Sequence, residues 1–195
     1  VYDGAHCPMT LGIPGIFSVY NALGVVGAAL ALGVPLDKIA GALQTAKSVK
    51  GRVEVVPTPG KDYTVIIDYS HTPDSLENIL RAVRGFCKGR ILAVFGCGGD
   101  RDPYKRPVMG KIASELADLS IVTSDNPRTE DPYKILRQIL AGMQETEKPY
   151  EVIESRVSAI GRAMELAQKD DVIVLCGKGH ETYQEIGHEK HHLDE

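Results

Sequence analysis

Four short runs gather most of the residues able to do chemistry. They are Asp68-Tyr69-Ser70-His71-Thr72-Pro73, Gly96-Cys97-Gly98-Gly99-Asp100-Arg101-Asp102, Ser124-Asp125-Asn126-Pro127-Arg128 and Cys176-Gly177-Lys178-Gly179-His180-Glu181. The guanidinium forks of Arg101 and Arg128 suit carboxylates, while Asp125, Glu181 and Asn126 can accept from ammonium groups. Two cations and two anions facing one crevice would suit a zwitterionic ligand. The competing reading is a structural ion-pair network across loop tips. Asp68 could accept ribose hydroxyls or cap the helix that follows, and His71 could touch a ligand or serve only a helix start. Lys178, set between glycines, could meet a phosphate or stand in solvent. Gly96, Gly98 and Gly99 could take φ > 0 and let the backbone approach a ligand, or simply make a tight turn.

The chemistry needs elements to hold it. From Gly51 onward, short β-rich runs alternate with amphipathic helical stretches. Strands are expected at Val53–Val56, Tyr63–Ile67, Ile91–Phe95, Leu119–Thr123, Tyr150–Ile153 and Val172–Leu175. Between them, Leu76, Ile79, Leu80 and Val83 line one helix face, and Ile135, Ile139 and Leu140 line another. Pro73 behind Thr72 reads as a capped helix start, as does Ser155 ahead of Ala159, Ala163 and Leu166. The strands are almost continuously apolar, as strands buried on both faces are. The expected fold is therefore α/β, a Rossmann-like doubly wound and mostly parallel six-stranded sheet. In such a sheet, ligands bind at the carboxyl ends of the strands. All four chemical runs follow a strand there, whereas the opposite ends carry ordinary solvated charges such as Lys169-Asp170-Asp171.

The first fifty residues differ. A stretch with Gly12, Pro14 and Gly15 leads to an Ala/Gly-rich helix from about Phe17 to Leu32, and Pro35 opens a second helix through Ile39 and Leu43. The long apolar segment Gly24–Val34 reads as a packed helix. Two helices with hardly a strand cannot close a core, so residues 1–50 are expected to be the tail of a preceding domain and 51–195 a domain of their own.

Composition excludes several classes. The chain has 195 residues, 43% hydrophobic and 25% charged, with a net charge of −4. That balance, with no Lys/Arg run longer than two, argues against nucleic acid as a partner. No signal-peptide pattern stands at Val1, and no apolar stretch is long enough to span a bilayer. Cys7, Cys87, Cys97 and Cys176 form no CxxC pair and read as reduced thiols of a cytoplasmic protein. The tail His188-Glu189-Lys190-His191-His192 lacks a surrounding framework at zinc-site spacing and reads as a solvated segment, so no metal site is expected. Neither GxGxxG nor GxxxxGK[ST] occurs, so the chain is not expected to hold nucleotide phosphates by itself.

At these motifs the sequence resembles the Mur ligases of bacterial cell-wall synthesis. The likeness runs from about Pro14 to the end, through Val19-Tyr20-Asn21-Ala22-Leu23, Gly51-Arg52, the Asp68–Leu76 run, the GCGGDRD loop with Lys105-Arg106-Pro107, Ser124–Arg128 and Gly177–Glu181. It implies a three-domain cytoplasmic enzyme, monomeric at full length. An N-terminal domain holds a UDP-sugar, a central ATPase domain carries the P-loop and magnesium, and a C-terminal domain brings the incoming amino acid. ATP would phosphorylate the acceptor carboxylate to an acyl phosphate, which the amino group then attacks. Residues 1–50 would end the central domain and 51–195 make up most of the last, with no catalytic residue in this chain and no tightly bound cofactor.

By the same resemblance, Asn21, Arg52, Asp68 and His71 would contact ATP. Arg101, Asn126, Arg128, Gly177 and Glu181 would contact the amino acid, with Asp125 opening the DNPR run that marks members taking meso-diaminopimelate. The other small-molecule partners would be ATP and a UDP-sugar dipeptide. Diaminopimelate exceeds lysine by one carboxylate, which Arg128 could bind bidentately. Ser18 stands where relatives commonly have Asn, and the chain stops short of the family's usual ending, so a final strand or helix is expected to be missing. Folylpolyglutamate and cyanophycin ligases share the architecture, but the DNPR and GKGHE runs disfavour both. A Rossmann-like binding module without catalysis is the remaining alternative.

Overall fold

The computed structural model describes residues 6–13, 15–144 and 146–195. Pro14 and the first five residues of the expected first domain lie outside the described residues. The chain forms two compact units, one reaching Val49 and one spanning Lys50–Glu195.

The first unit carries α1 (Ile16–Ala31) and α2 (Leu36–Thr45). Gly33 adopts φ 78, the left-handed conformation that ends α1, and Pro35 stands at the N-cap of α2. The expectation of a packed apolar helix over Gly24–Val34 needs correction. Val25 is 55% exposed and Leu32 84% exposed. An Ala/Gly-rich helix is apolar on every side, so its composition does not say which side is covered.

The second unit is built on a six-stranded sheet. Its strands are β1 (Glu54–Val56), β2 (Thr64–Asp68), β3 (Ile91–Phe95), β4 (Leu119–Val122), β5 (Tyr150–Val152) and β6 (Val172–Cys176), in the order β1-β2-β6-β3-β4-β5. Only β1 runs antiparallel to its neighbour; every other pair is parallel. Helices α3 (Pro73–Arg84), α4 (Lys105–Leu116), α5 (Pro132–Ala141) and α6 (Arg156–Leu166) make the crossovers. Every residue of β3, β4 and β6 is buried, as their unbroken apolar runs require. Leu76, Ile79, Leu80 and Val83 of α3 bury the predicted face; on α5, Ile135 and Ile139 are buried as expected, but Leu136 completes the face and Leu140 is only half-buried.

The helix starts follow the residues that signal them. Thr72 caps α3 in a reciprocal capping box with Ser75, and Pro73 fills the first turn. Ser155 caps α6 by accepting from the Ser158 amide. Helix α4 has no counterpart in the sequence reading. Pro107 sits near its start, tolerable because first-turn amides have no helical partner, and Met109, Gly110 and Ala113 make a weak apolar signal.

The tail read as a solvated segment is exposed as expected, and it also forms part of a hairpin, β7 (Tyr183–Ile186) with β8 (Glu189–His192), turning at Gly187 with φ 61. Its polar residues show no hydrophobic alternation, so a strand there left no periodic signal. At the N-terminal edge, Asp171 is not a solvated charge. It is buried and accepts from the amides of Arg90 and Gln168 and from the Arg90 guanidinium. Burial works against its charge, but those bonds hold its carboxyl below the usual carboxylate range.

Position follows from topology. Because β6 lies between β2 and β3, the loops leaving β2, β6, β3 and β4 stand side by side. The strand ends are level: Asp68 pairs with Cys176, and Phe95 with Val122. The four chemical runs therefore share one edge of the sheet.

Candidate functional site

The β2 loop is organised by Asp68, which is buried. Its Oδ2 accepts from the Val53 amide at 2.9 Å and its Oδ1 from the Ser70 hydroxyl. Its own backbone carbonyl accepts from the Gly177 amide at 3.0 Å, tying the end of β2 to the start of the β6 loop. Asp68 does not cap α3; Thr72 does that. His71 donates through Nδ1 to the Tyr69 carbonyl, 2.8 Å away, and its own carbonyl accepts from Lys105 Nζ at 2.6 Å. The Tyr69 ring lies 4.7 Å from that of His71 and 5.1 Å from that of His180, with the Arg52 guanidinium 4.8 Å over its face. Gly51 at φ 70 and Gly179 at φ 53 allow this crowding, since a Cβ on Gly51 would lie 2.1 Å from the His180 nitrogen.

The centre of the site is Lys178, which is neither solvated nor set to meet a phosphate. It is wholly buried. Its Nζ donates to Asn126 Oδ1 at 2.9 Å and Glu181 Oε2 at 3.3 Å, and lies 3.8 Å from Asp125 Oδ1. Tyr183 presents its ring 5.7 Å away. Asn126 is held at every polar atom: Oδ1 also accepts from the Glu185 amide at 2.9 Å, and Nδ2 donates to Glu181 Oε2 at 3.0 Å. Tyr69 donates to the other oxygen of Glu181 at 3.2 Å. Gly177, at φ 116, leaves room for Asp125, whose Oδ2 would stand 2.7 Å from a Cβ there.

Arg128 closes one side. Its backbone takes φ 51, and its amide and carbonyl pair with the Glu185 carbonyl and the Gly187 amide. Nε donates to Glu185 Oε2 at 3.0 Å and Nη1 to the Gly99 carbonyl at 2.8 Å. Nη2 has no hydrogen-bond partner among the described residues. Arg101 is exposed and donates to the Asp100 carbonyl at 3.0 Å. A Cβ on Gly98 would meet Arg128 Nη1 at 2.9 Å and Arg101 Cγ at 3.8 Å, so the two arginines flank that glycine. The expectation of positive φ at Gly96, Gly98 and Gly99 is corrected: the left-handed residue of this loop is Asp100, at φ 52. The glycines serve close approach within the protein instead. A Cβ would lie 2.2 Å from the Thr123 carbonyl at Gly96 and 1.9 Å from the Pro127 carbonyl at Gly99.

Two buried arginines hold these loops from behind; Arg106 was expected only as part of a family motif, without a role, and Arg156 was not expected at all. Arg106 donates to the Gly98 carbonyl at 3.1 Å while pairing with Glu130 at 2.7 Å, and Glu130 accepts from the Asp100 amide. Arg156 donates to the Cys176 carbonyl at 3.0 Å and pairs with Glu195. Their signal was an arginine at the start of a helix behind a site loop, which no local periodicity marks.

The site thus gathers Asp125, Asn126, Arg128, Gly177 and Glu181, with Arg101 beside them. Its charge is three cations against three carboxylates once Lys178 and Glu185 are counted, rather than two and two. Burial opposes the Glu181 charge, yet the bonds from Asn126, Lys178 and Tyr69 and the Lys178 charge keep its carboxyl below the usual range. Burial and the facing Glu181 push the Tyr69 phenol up. Cys97 and Cys176 are raised by burial, Cys97 to about 12, so neither offers a thiolate. Asn21 stands exposed on α1 of the first unit. Among the described residues, no group of three His, Cys, Asp or Glu side chains could hold a metal ion, and no helix is long and apolar enough to cross a membrane.

Residues 51–179 match the family described as Mur ligase, glutamate ligase domain. The chain belongs to the Mur ligase family. Among curated Mur ligases, it is 52% identical over 188 residues to the UDP-N-acetylmuramoyl-L-alanyl-D-glutamate–2,6-diaminopimelate ligase of Clostridium botulinum, spanning 96% of this chain and 38% of that protein. It is 56% identical over 182 residues to the ligase of the same name from Trichormus variabilis, spanning 93% of this chain and 36% of that one. A solved structure of a ligase of that name superposes with a TM-score of 0.74 at 36% identity, over 95% of this chain and 38% of the other. A pseudomurein peptide ligase type C from Methanothermus fervidus gives 0.71 at 28% identity, over 91% and 36%. The chain therefore spans well under half the length of the Mur ligases it matches.

Proposed function

We propose that this chain is the C-terminal part of an ATP-dependent ligase that adds meso-diaminopimelate to UDP-N-acetylmuramoyl-L-alanyl-D-glutamate in peptidoglycan synthesis. Residues 1–50 would end the central ATP-binding domain, and 51–195 would receive the incoming amino acid. The observation that carries the reading is Arg128. Its guanidinium is anchored through Nε and Nη1, while Nη2 has no partner among the described residues, beside a cluster of Asp125, Asn126, Gly177 and Glu181. An anchored fork with an open end suits the carboxylate by which diaminopimelate exceeds lysine. Glu181 and Asp125 would face ammonium, with Arg101 as a second carboxylate contact. The names carried by the relatives support the same substrate.

Asn21, Arg52, Asp68 and His71 would contact ATP. The Arg52–Tyr69–His71 stack offers an aromatic and cationic surface for it, and Asp68 would act there chiefly by holding the β2 loop. Magnesium and the phosphate-cradling loop would belong to the full-length enzyme. Phosphorylation of the acceptor carboxylate would precede attack by the amine. The enzyme would work in the cytoplasm as a monomer on small-molecule substrates.

The test is phosphate release by the full-length gene product with UDP-N-acetylmuramoyl-L-alanyl-D-glutamate, ATP and either meso-diaminopimelate or L-lysine. Turnover with diaminopimelate and little with lysine is expected; equal use of the two would overturn the specificity. Calorimetry on the 195-residue chain should show weak binding of diaminopimelate and no turnover.

A further inference from the structure

A lysine in a glycine-rich loop ordinarily points to solvent or a phosphate. Lys178 does neither: it is wholly buried, with its ammonium at the centre of the polar cluster. We propose that Lys178 is a positioning residue, an internal counter-ion that fixes how Asn126 faces the amino-acid site and how much positive charge that site accepts from its ligand. The inference rests on the amino-acid-binding role proposed above.

The first half follows from hydrogen-bond inventory. An ammonium has three donors and no acceptor, so it can meet only the oxygen of the Asn126 amide. With Oδ1 taken by Lys178 Nζ and the Glu185 amide, Nδ2 must turn to Glu181 Oε2. Without the ammonium, Oδ1 keeps only the Glu185 amide as a donor, and the orientation of the Asn126 amide is held less firmly. The second half is charge. Asp125 and Glu181 would together attract two ammonium groups; Lys178 already supplies one. The remainder asks for a single further ammonium. A diamino acid therefore presents one amine to these carboxylates, leaving its other amine outside the pair.

The groups facing Lys178 are Asp125 and Asn126 from the β4 loop, Glu181 from its own loop and Tyr183 from β7. Glu181 is faced in addition by Tyr69 from the β2 loop. Those groups stay in place in a Lys178 variant, so the change in Glu181 isolates the ammonium. Its carboxyl, now held low, should rise, and the acid limb of activity should move to higher pH.

The experiment uses the full-length gene product and reads KM and kcat separately. Lys178→Met should raise KM for meso-diaminopimelate on the order of 10- to 100-fold, as expected when Asp125 and Glu181 lose the buried charge that orients them. The KM for ATP should stay unchanged. The acid limb of kcat/KM should shift upward, and ethylammonium should restore part of the loss in Lys178→Ala. An unchanged KM overturns the proposal. So does a loss of kcat and thermal stability with an unmoved pH profile and no rescue by amine, the pattern of a merely structural lysine. Wild-type protein gives an independent reading should the variants fail to fold. A slowly exchanging Lys178 ammonium signal in 15N-lysine spectra should shift on saturation with meso-diaminopimelate, and a signal that stays put overturns the inference. If wild-type enzyme accepts no diamino acid at all, the assigned function falls instead.

Discussion

Arg128 donates from Nη1 to the backbone carbonyl of Gly99 at 2.8 Å, joining the loop after β4 to the loop after β3. One side chain thereby spans two strand ends while Nη2 has no hydrogen-bond partner among the described residues. A lysine could not do this, because its ammonium is a point donor without a fork. Arg128→Ala in the full-length enzyme should remove about 3 kcal/mol of transition-state binding for meso-diaminopimelate, or roughly 100-fold in kcat/KM. Activity with lysine should change little, so the ratio of the two rates is the measurement. An unchanged ratio would sink the carboxylate role.

Gly177→Ala tests the close approach to Asp125. The residue sits at φ 116, and a Cβ would lie 2.7 Å from Asp125 Oδ2. Strain of this kind costs about 1–3 kcal/mol, and relief requires Asp125 to move. The melting temperature should fall and KM for the amino acid should rise together. A variant with wild-type KM would show that Asp125 is not held by this contact.

Acid should weaken the β3 loop through Glu130. Its side-chain bonds to Arg106 depress its carboxyl from 4.5 to about 2. A depressed folded-state value means the stabilisation is complete above the ordinary carboxylate range. It is lost as pH falls from about 4.5 through about 2. Thermal melts across that window should show wild type losing stability, with Glu130→Gln less stable at neutral pH and flatter in its acid response. Parallel curves would refute the assignment.

Two substitutions separate local from core effects. Thr72→Ala removes the α3 cap and should cost about 1 kcal/mol. Ile173→Ala opens a cavity beside β6, where the side chain is wholly buried, and should cost about 2–5 kcal/mol. Denaturant titration of the chain should rank them in that order; the reverse would mean the sheet interior tolerates collapse around residue 173.

Much of the architecture was legible in the sequence because parallel strands buried on both faces leave unbroken apolar runs. Ile91–Phe95 and Val172–Leu175 could hardly be anything else. The capped starts at Thr72 and Ser155 were readable for a similar reason, since capping is local chemistry. Less was legible where an element rests on long-range partners. The hairpin from Tyr183 to His192 is polar on both faces, and α4 carries a proline with few large apolar residues. At the site, residue types pointed to Arg101, Arg128, Asp125 and Glu181, but composition could not say that Lys178 would be buried among them. Nor could it show that Glu185, from a strand the sequence hid, would brace Arg128. Both facts depend on which loops the strand order makes neighbours.

That dependence has a kinetic side. The bonds that assemble the site join residues far apart in the chain: Asn126 to Lys178 across 52 positions, Arg128 to Glu185 across 57 and Tyr69 to Glu181 across 112. Each closes a long loop, and such contacts stabilise the chain only after the sheet has brought their strands together. The hairpin that seats Arg128 is therefore expected to dock last during folding and to open first in native-state hydrogen exchange, ahead of β3 and β6. The part of the molecule that reads its ligand is the part that ordering reaches last, so a bound amino acid should slow exchange there more than anywhere else in the sheet.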